Sequence, residues 1–123
     1  MTKSALQRMA VDELVQQFAA LALEQDDALL GNDIAQVNRL FRKLEDVEDE
    51  LKARPGDQRQ ALLVLYHHSN PQVQVKAAKA TLAVAPAAAR QVLEIVSDTC
   101  NGPQRLEAGM CLWNLDRGFF KPT

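Results

Sequence analysis

A chain of 123 residues with 14 basic and 16 acidic side chains carries a formal charge of −2 and has a pI near 5.6, so no global positive field draws it to nucleic acid. Hydrophobic residues make up 47% of it but aromatics only 5%; the β-branched runs that mark strands are missing, as is any apolar run near the ~20 residues that span a bilayer. The expectation is a soluble, all-α protein forming a single helical domain over residues 1–123, a length sufficient to bury one core.

The opening MTKSALQRMAVDEL has no apolar core behind Lys3, unlike a secretory signal, which makes the cytoplasm the expected compartment. Ser4 to Ala10 either extends the first helix or frays. That helix is predicted from about Asp12 to Leu30, with Leu14, Phe18, Leu21 and Leu29 at helical spacing, and Gly31-Asn32 closes it. A second helix runs from about Asp33 to Arg54 along a seam of Ile34, Val37, Phe41, Leu44, Val47 and Leu51, until Pro55-Gly56 stops it. Residues 12–54 should therefore form a long antiparallel hairpin. Asp57 caps a short third helix holding Leu62, Leu63, Leu65 and Tyr66, and His67-His68-Ser69 leads onward.

Asn70 to Leu82, NPQVQVKAAKATL, is the most informative stretch. Asn70 suits an N-cap, and Pro71 loses nothing at the next position because its missing N–H would have had no partner there. Val73, Ala77, Ala80 and Val84 recur at helical spacing beside Ala78 and Leu82, while Gln74, Lys76 and Lys79 point elsewhere. Such small side chains let a neighbouring helix approach closely. Pro86 opens a fifth helix with Ala89, Val92, Leu93 and Val96 inward. Gly102-Pro103 opens a sixth, whose apolar face is expected at Leu106, Ala108, Gly109, Cys111 and Leu112. Ala77 and Ala108 are 31 residues apart, and Gly118 ends the sixth helix, leaving residues 118–123 as a tail.

The order of turn, Pro, Val, basic residue, Ala-Ala and Leu resembles the second helix of a HEAT-type repeat, in which antiparallel helix pairs stack into a solenoid. Where such repeats often carry an acidic residue before the Pro and an Arg after the Val, this chain has Asn70 and Gln74. With RPGDQRQALLVLYHH, KAAKATLAVAP and GMCLWNLDRGFFKPT, nearly the whole chain also resembles a family of small uncharacterised bacterial proteins, domain of unknown function two-thousand-and-nineteen. The resemblance implies a short HEAT-like α-solenoid of about six helices, with residues 57–117 as its HEAT-like part. It carries over no activity and no functional residues.

Chemistry along the chain is sparse. His67 and His68 are neighbours whose side chains diverge by about 100° on a helix, which suits no shared metal. Glu45, Asp46, Glu48, Asp49 and Glu50 read as a solvated face, because the apolar seam passes among them at Val47 and Leu51. No phosphate-cradling glycine motif occurs. Cys100 and Cys111 have neither metal-knuckle spacing nor a neighbouring activator, so both read as reduced thiols. No cofactor is expected.

Binding readings are better supported. The second helices of successive pairs line the concave side of a stacked repeat, so Arg39, Arg42 and Lys43 with Lys76 and Lys79 are the first candidates for a partner-binding groove of the second and fourth helices. His67, His68 and Trp113 are secondary candidates; Trp113 and Phe119-Phe120 either cap the open end of the stack or anchor a partner. The leading expectation is a non-catalytic module binding another protein. The alternatives are a helical repeat that binds nucleic acid through the basic residues and an enzyme whose site assembles across helices from His68, Asp57 and Glu107.

Overall fold

Each segment expected to be helical is helical in the computed structural model, which describes residues 2–123. Among those residues there are seven helical elements and no strand, and the chain divides into two compact units, Met1–Ala61 and Leu62–Thr123. No helix of the described residues is long and apolar enough to cross a membrane.

The first unit holds α1 (Lys3–Gln7), α2 (Val11–Leu30) and α3 (Ile34–Ala53). Residues 4–10 neither extend α2 nor fray, because Ala10 takes extended backbone at ψ 159° and breaks the run. The Ala10 N–H then donates to Glu13 Oε1 at 2.9 Å, while Thr2 Oγ1 caps α1 by accepting from Ala5 N. The exposed carbonyls at the other end of α1 are met by a cation: Arg54 donates from Nη2 to Leu6 O at 3.1 Å and to Gln7 O. That contact sets α1 against the end of α3, with Leu6 buried.

The hairpin expected over 12–54 forms, turning at Gly31 and at Asn32, which has φ 54°, with Asp33 accepting from Gln36 N to cap α3. Its core joins Leu14, Phe18, Leu21 and Ala22 of α2 to Leu40, Leu44, Val47 and Leu51 of α3. The expected seam is displaced near the turn: Ile34 and Phe41 are 56% and 44% exposed, and Leu40 is buried instead. Leu40 and Phe41 differ by only about 100° around the helix, so both extend the Leu44–Val47–Leu51 stripe, and packing against α2 selects Leu40. Buried Gln25 adds a directional tie, donating to Val37 O at 3.2 Å.

The expected third helix is a 3₁₀ helix, Gln58–His67, and not an α-helix. Gly56 and Asp57 lead into it with φ of 78° and 53°. Its buried residues are Arg59, Leu62 and Leu65. They are spaced by three, which is the repeat of a 3₁₀ turn, so this tighter winding aligns all three on one face. An α-helical winding would have spread them, and Leu63 and Tyr66, which lie off this face, are only partly buried.

In the second unit α4 (Pro71–Thr81), α5 (Pro86–Thr99) and α6 (Pro103–Asp116) each begin on a proline. Asn70 Oδ1 caps α4, accepting from Gln72 N at 2.8 Å. Val75, Ala78, Leu82, Ala89, Leu93, Val96, Ala108 and Cys111 make one core, with Tyr66, Leu115 and Phe120 packed on it. Thr81 ends α4 by donating from Oγ1 to Ala77 O at 2.8 Å and hydrogen-bonding the Tyr66 hydroxyl. The helix stops there, so Val84, expected on its buried face, falls in the following turn and is only partly buried. At the far end Gly118 takes φ 74°, and the N–H groups of Phe119 and Phe120 both return to Asn114 O. A left-handed residue at this point closes the helix and favours glycine.

Candidate functional site

The five basic residues expected to share a groove divide between the two units. On α3, Arg39 hydrogen-bonds Gln36 and Arg42 is exposed. Lys43 lines a small pocket of about 120 Å³ with Leu6, Gln17 and Asp46. On α4, Lys76 and Lys79 are already engaged: their Nζ atoms lie 2.7 and 3.2 Å from the same oxygen, Glu107 Oε2 on α6. Burial alone would raise the Glu107 carboxyl, but the two ammonium groups together outweigh it and hold it below its ordinary value. Lys76 and Lys79 therefore tie α4 to α6 and do not form an open basic stripe.

The other candidates are also held locally. His68 accepts the Asn70 N–H on Nδ1 at 3.0 Å, which steadies the entry to α4, and His67 is exposed. Of the trio His68, Asp57 and Glu107, Asp57 is clamped by Arg59, with Arg59 Nη2 2.7 Å from Oδ2, and Glu107 is held as above. Among the described residues no group of three His, Cys, Asp or Glu side chains is placed to hold a metal ion. Both cysteines are free thiols. Burial pushes the Cys111 thiol up, which disfavours the reactive thiolate.

The acidic run of α3 is less uniformly solvated than its sequence implies. Glu48 is partly buried, and its carboxyl is pushed up to about 7, first by desolvation and then by Asp49 and Glu45, against the pull of Arg59 and Lys52. Glu50 instead pairs with Arg54 at 2.9 Å.

A different surface emerges on α6. Gln104, Ala108 and Cys111 are buried, whereas Leu106, Met110 and Trp113 are 71%, 51% and 48% exposed. With ~100° per residue these two sets lie on opposite sides of the helix. Leu106, assigned by sequence to the inner face, therefore belongs to the outer one. Together with Ser97 and Asp98 of α5, and with Gly102, Arg105 and Gly109, the exposed stripe lines an open groove of about 640 Å³. At its end the Arg117 guanidinium sits 4.1 Å from the Trp113 ring centre, and Phe119 tilts against the same ring at 6.1 Å. Trp113 is thus wedged by a cation and an aromatic, its position fixed while about half its surface stays open. A signal for this surface was present in the sequence: a helix apolar on two opposite sides needs two partners.

The family model described as Domain of unknown function (DUF2019) matches residues 12–116. The chain belongs to that family. A solved structure similar to it is that of the protein RPA1889 from Rhodopseudomonas palustris CGA009, with 53% sequence identity over 96% of this chain and 98% of the other and a TM-score of 0.92. None of the curated proteins matches. The DUF2019 membership covers both α2–α3 and α4–α6, and the family description names no activity.

Proposed function

We propose that this DUF2019 chain is a non-catalytic interaction module that takes a protein partner on the outer face of α6. The observation that carries this reading is the stripe Leu106, Met110 and Trp113, apolar and exposed, directly opposite the face that α6 gives to its own core. Water against such a stripe is released when a partner covers it, and a Trp and an Arg already held in place bind with little loss of side-chain freedom. The HEAT-like reading of the scaffold has support in the second unit, where α4 and α6 both open on Pro-Gln and α5 packs between them in sequence and against both. Arg39, Arg42 and Lys43 of α3 remain secondary candidates for the rim of a partner site. The nucleic-acid reading is weakened by the charge of −2 and by the engagement of Lys76 and Lys79 with Glu107.

The test is a photoreactive residue placed at Leu106 and expressed in the native cell. Covalent protein adducts that disappear when Trp113→Ala is added support the reading. No adduct from Leu106, with adducts from a photoreactive residue at Arg42, would move the site to α3, and no adduct from either would defeat the proposal.

A further inference from the structure

The first unit has a recess of its own, built by α1, α2 and α3 alone. Its apolar side is Leu6, Leu21 and Val47, one residue from each helix and all buried. Gln17, Glu24, Lys43 and Asp46 bring polar ends to the rest of its wall. Residues 17, 21 and 24 lie on one face of α2, and 43, 46 and 47 on one face of α3, because each set is spaced by three or four residues or by one. Arg54, donating to Leu6 O and Gln7 O, holds α1 and so fixes Leu6 in the wall. The recess measures about 120 Å³. At the ~10–15 Å³ of such space that one water needs, it takes a molecule of about eight to twelve non-hydrogen atoms.

The wall carries both signs of charge and does not spend them on itself. Lys43 and Asp46 are three residues apart on α3, close enough to pair. Yet neither they nor Gln17 and Glu24 take a hydrogen-bond or ion-pair partner among the described residues. The nearby charges are answered elsewhere: Glu13 accepts the Ala10 N–H, Arg39 bonds Gln36, Glu50 pairs with Arg54, and Asp26 is also engaged. The exposed charges that flank the wall in sequence cancel, with Lys3, Arg8 and Arg42 against Asp27, Glu45 and Asp49. One ammonium, two carboxylates and an amide are left around an apolar patch.

From this wall we infer that the first unit binds a small aliphatic α-amino acid. The ligand's ammonium lies between Glu24 and Asp46, its carboxylate meets the Lys43 ammonium and the Gln17 amide, and its side chain covers Leu6, Leu21 and Val47. A carboxylic acid alone would face two like charges, and an amine alone would face the lysine, whereas a zwitterion answers all three. Valine fits the size of the recess, and its side chain gains by leaving water for the apolar side. The site lies on other helices than the α6 surface and stands or falls separately from it.

Calorimetric titration of the purified full chain with L-valine tests the site. Binding should appear with a Kd in the millimolar range or tighter. N-acetyl-L-valine, which lacks the ammonium, and isobutylamine, which lacks the carboxylate, should each bind about tenfold or more weakly. Lys43→Met should erase the preference for valine over isobutylamine, and Asp46→Asn should reduce the preference for valine over N-acetyl-L-valine. Both side chains are only partly buried, so each variant should keep a thermal midpoint near that of the wild type. No binding of L-valine by the wild type overturns the inference, as does equal binding of valine and isobutylamine. So does valine affinity that is indifferent to both Lys43→Met and Asp46→Asn.

Discussion

Gln104 donates from Nε2 to Gln72 Oε1 across 2.9 Å, with the two residues 5% and 1% exposed. Each directly follows the proline that opens its helix, so the bond joins equivalent positions of α4 and α6, 32 residues apart. It also explains a glycine: a Cβ at Gly102 would lie 2.7 Å from Gln104 Oε1. A polar tie inside an otherwise apolar contact fixes the register of the two helices, since any slide would break it in a place that water does not reach.

Gln72→Leu and Gln104→Leu should each destabilise the protein by about 1–3 kcal/mol, because one amide stays buried after losing this bond. The double substitution should cost less than the sum. Urea midpoints of the four-member cycle measure the coupling; strict additivity would show that the bond contributes nothing of its own.

Glu107→Gln should lower stability at neutral pH by roughly 1–3 kcal/mol, because it leaves the two ammonium groups of Lys76 and Lys79 facing each other without the carboxylate. Lys76, the more buried of the pair at 12% side-chain exposure against 32%, should matter more than Lys79 when each is changed to Met. The pH dependence has a defined sign. Glu107 titrates lower in the folded state, so its contribution is present above the unfolded value of 4.5 and is lost as pH falls through the folded one. Acid unfolding of Glu107→Gln should accordingly be shallower than that of the wild type.

At Gly109 an added Cβ would meet only Ser97 Oγ, at 3.4 Å, and that hydroxyl can rotate. Gly109→Ala should therefore be neutral or stabilise α6 by up to about 1 kcal/mol through helix propensity. Ala78, fully buried in the second unit's core, offers no such space, and Ala78→Leu should cost about 1–3 kcal/mol by overpacking. Thermal melts of the two variants should move in opposite directions or, at minimum, differ by several degrees.

Glu48 titrates near 7 in the fold against 4.5 as its ordinary value. An acid raised in this way makes a contribution that is fully present below the unfolded value and is lost as pH rises through the folded one. Wild-type stability should therefore decline between about pH 5 and 8 from this group. Glu48→Gln should remove that slope and be the more stable protein at pH 8 by roughly 1 kcal/mol, a figure discounted for partial exposure. Parallel stability curves for the two proteins from pH 5 to 8 would contradict the assignment.

Helix positions and most helix ends were legible in the linear sequence, because caps, prolines and terminal glycines act within one turn: Asn70-Pro71, Pro86, Gly102-Pro103 and Gly118 each mark an observed boundary. Apolar spacing located the α2–α3 hairpin for the same local reason. What periodicity could not decide was which of two adjacent stripes a neighbour covers, so Leu40 replaced Phe41 at the core, and Leu106 turned outward while Gln104 turned in. The 3₁₀ winding of Gln58–His67 likewise follows from burying Arg59, Leu62 and Leu65 on one face. Charge was the least legible property. Lys76, Lys79 and Glu107 are separate positions on two helices in the sequence, and only the packing of α4 on α6 makes them one ion cluster. Because a side chain's role depends on what the fold places within a few ångströms of it, tertiary structure moved the candidate surface from the basic residues of α3 and α4 to the exposed stripe of α6.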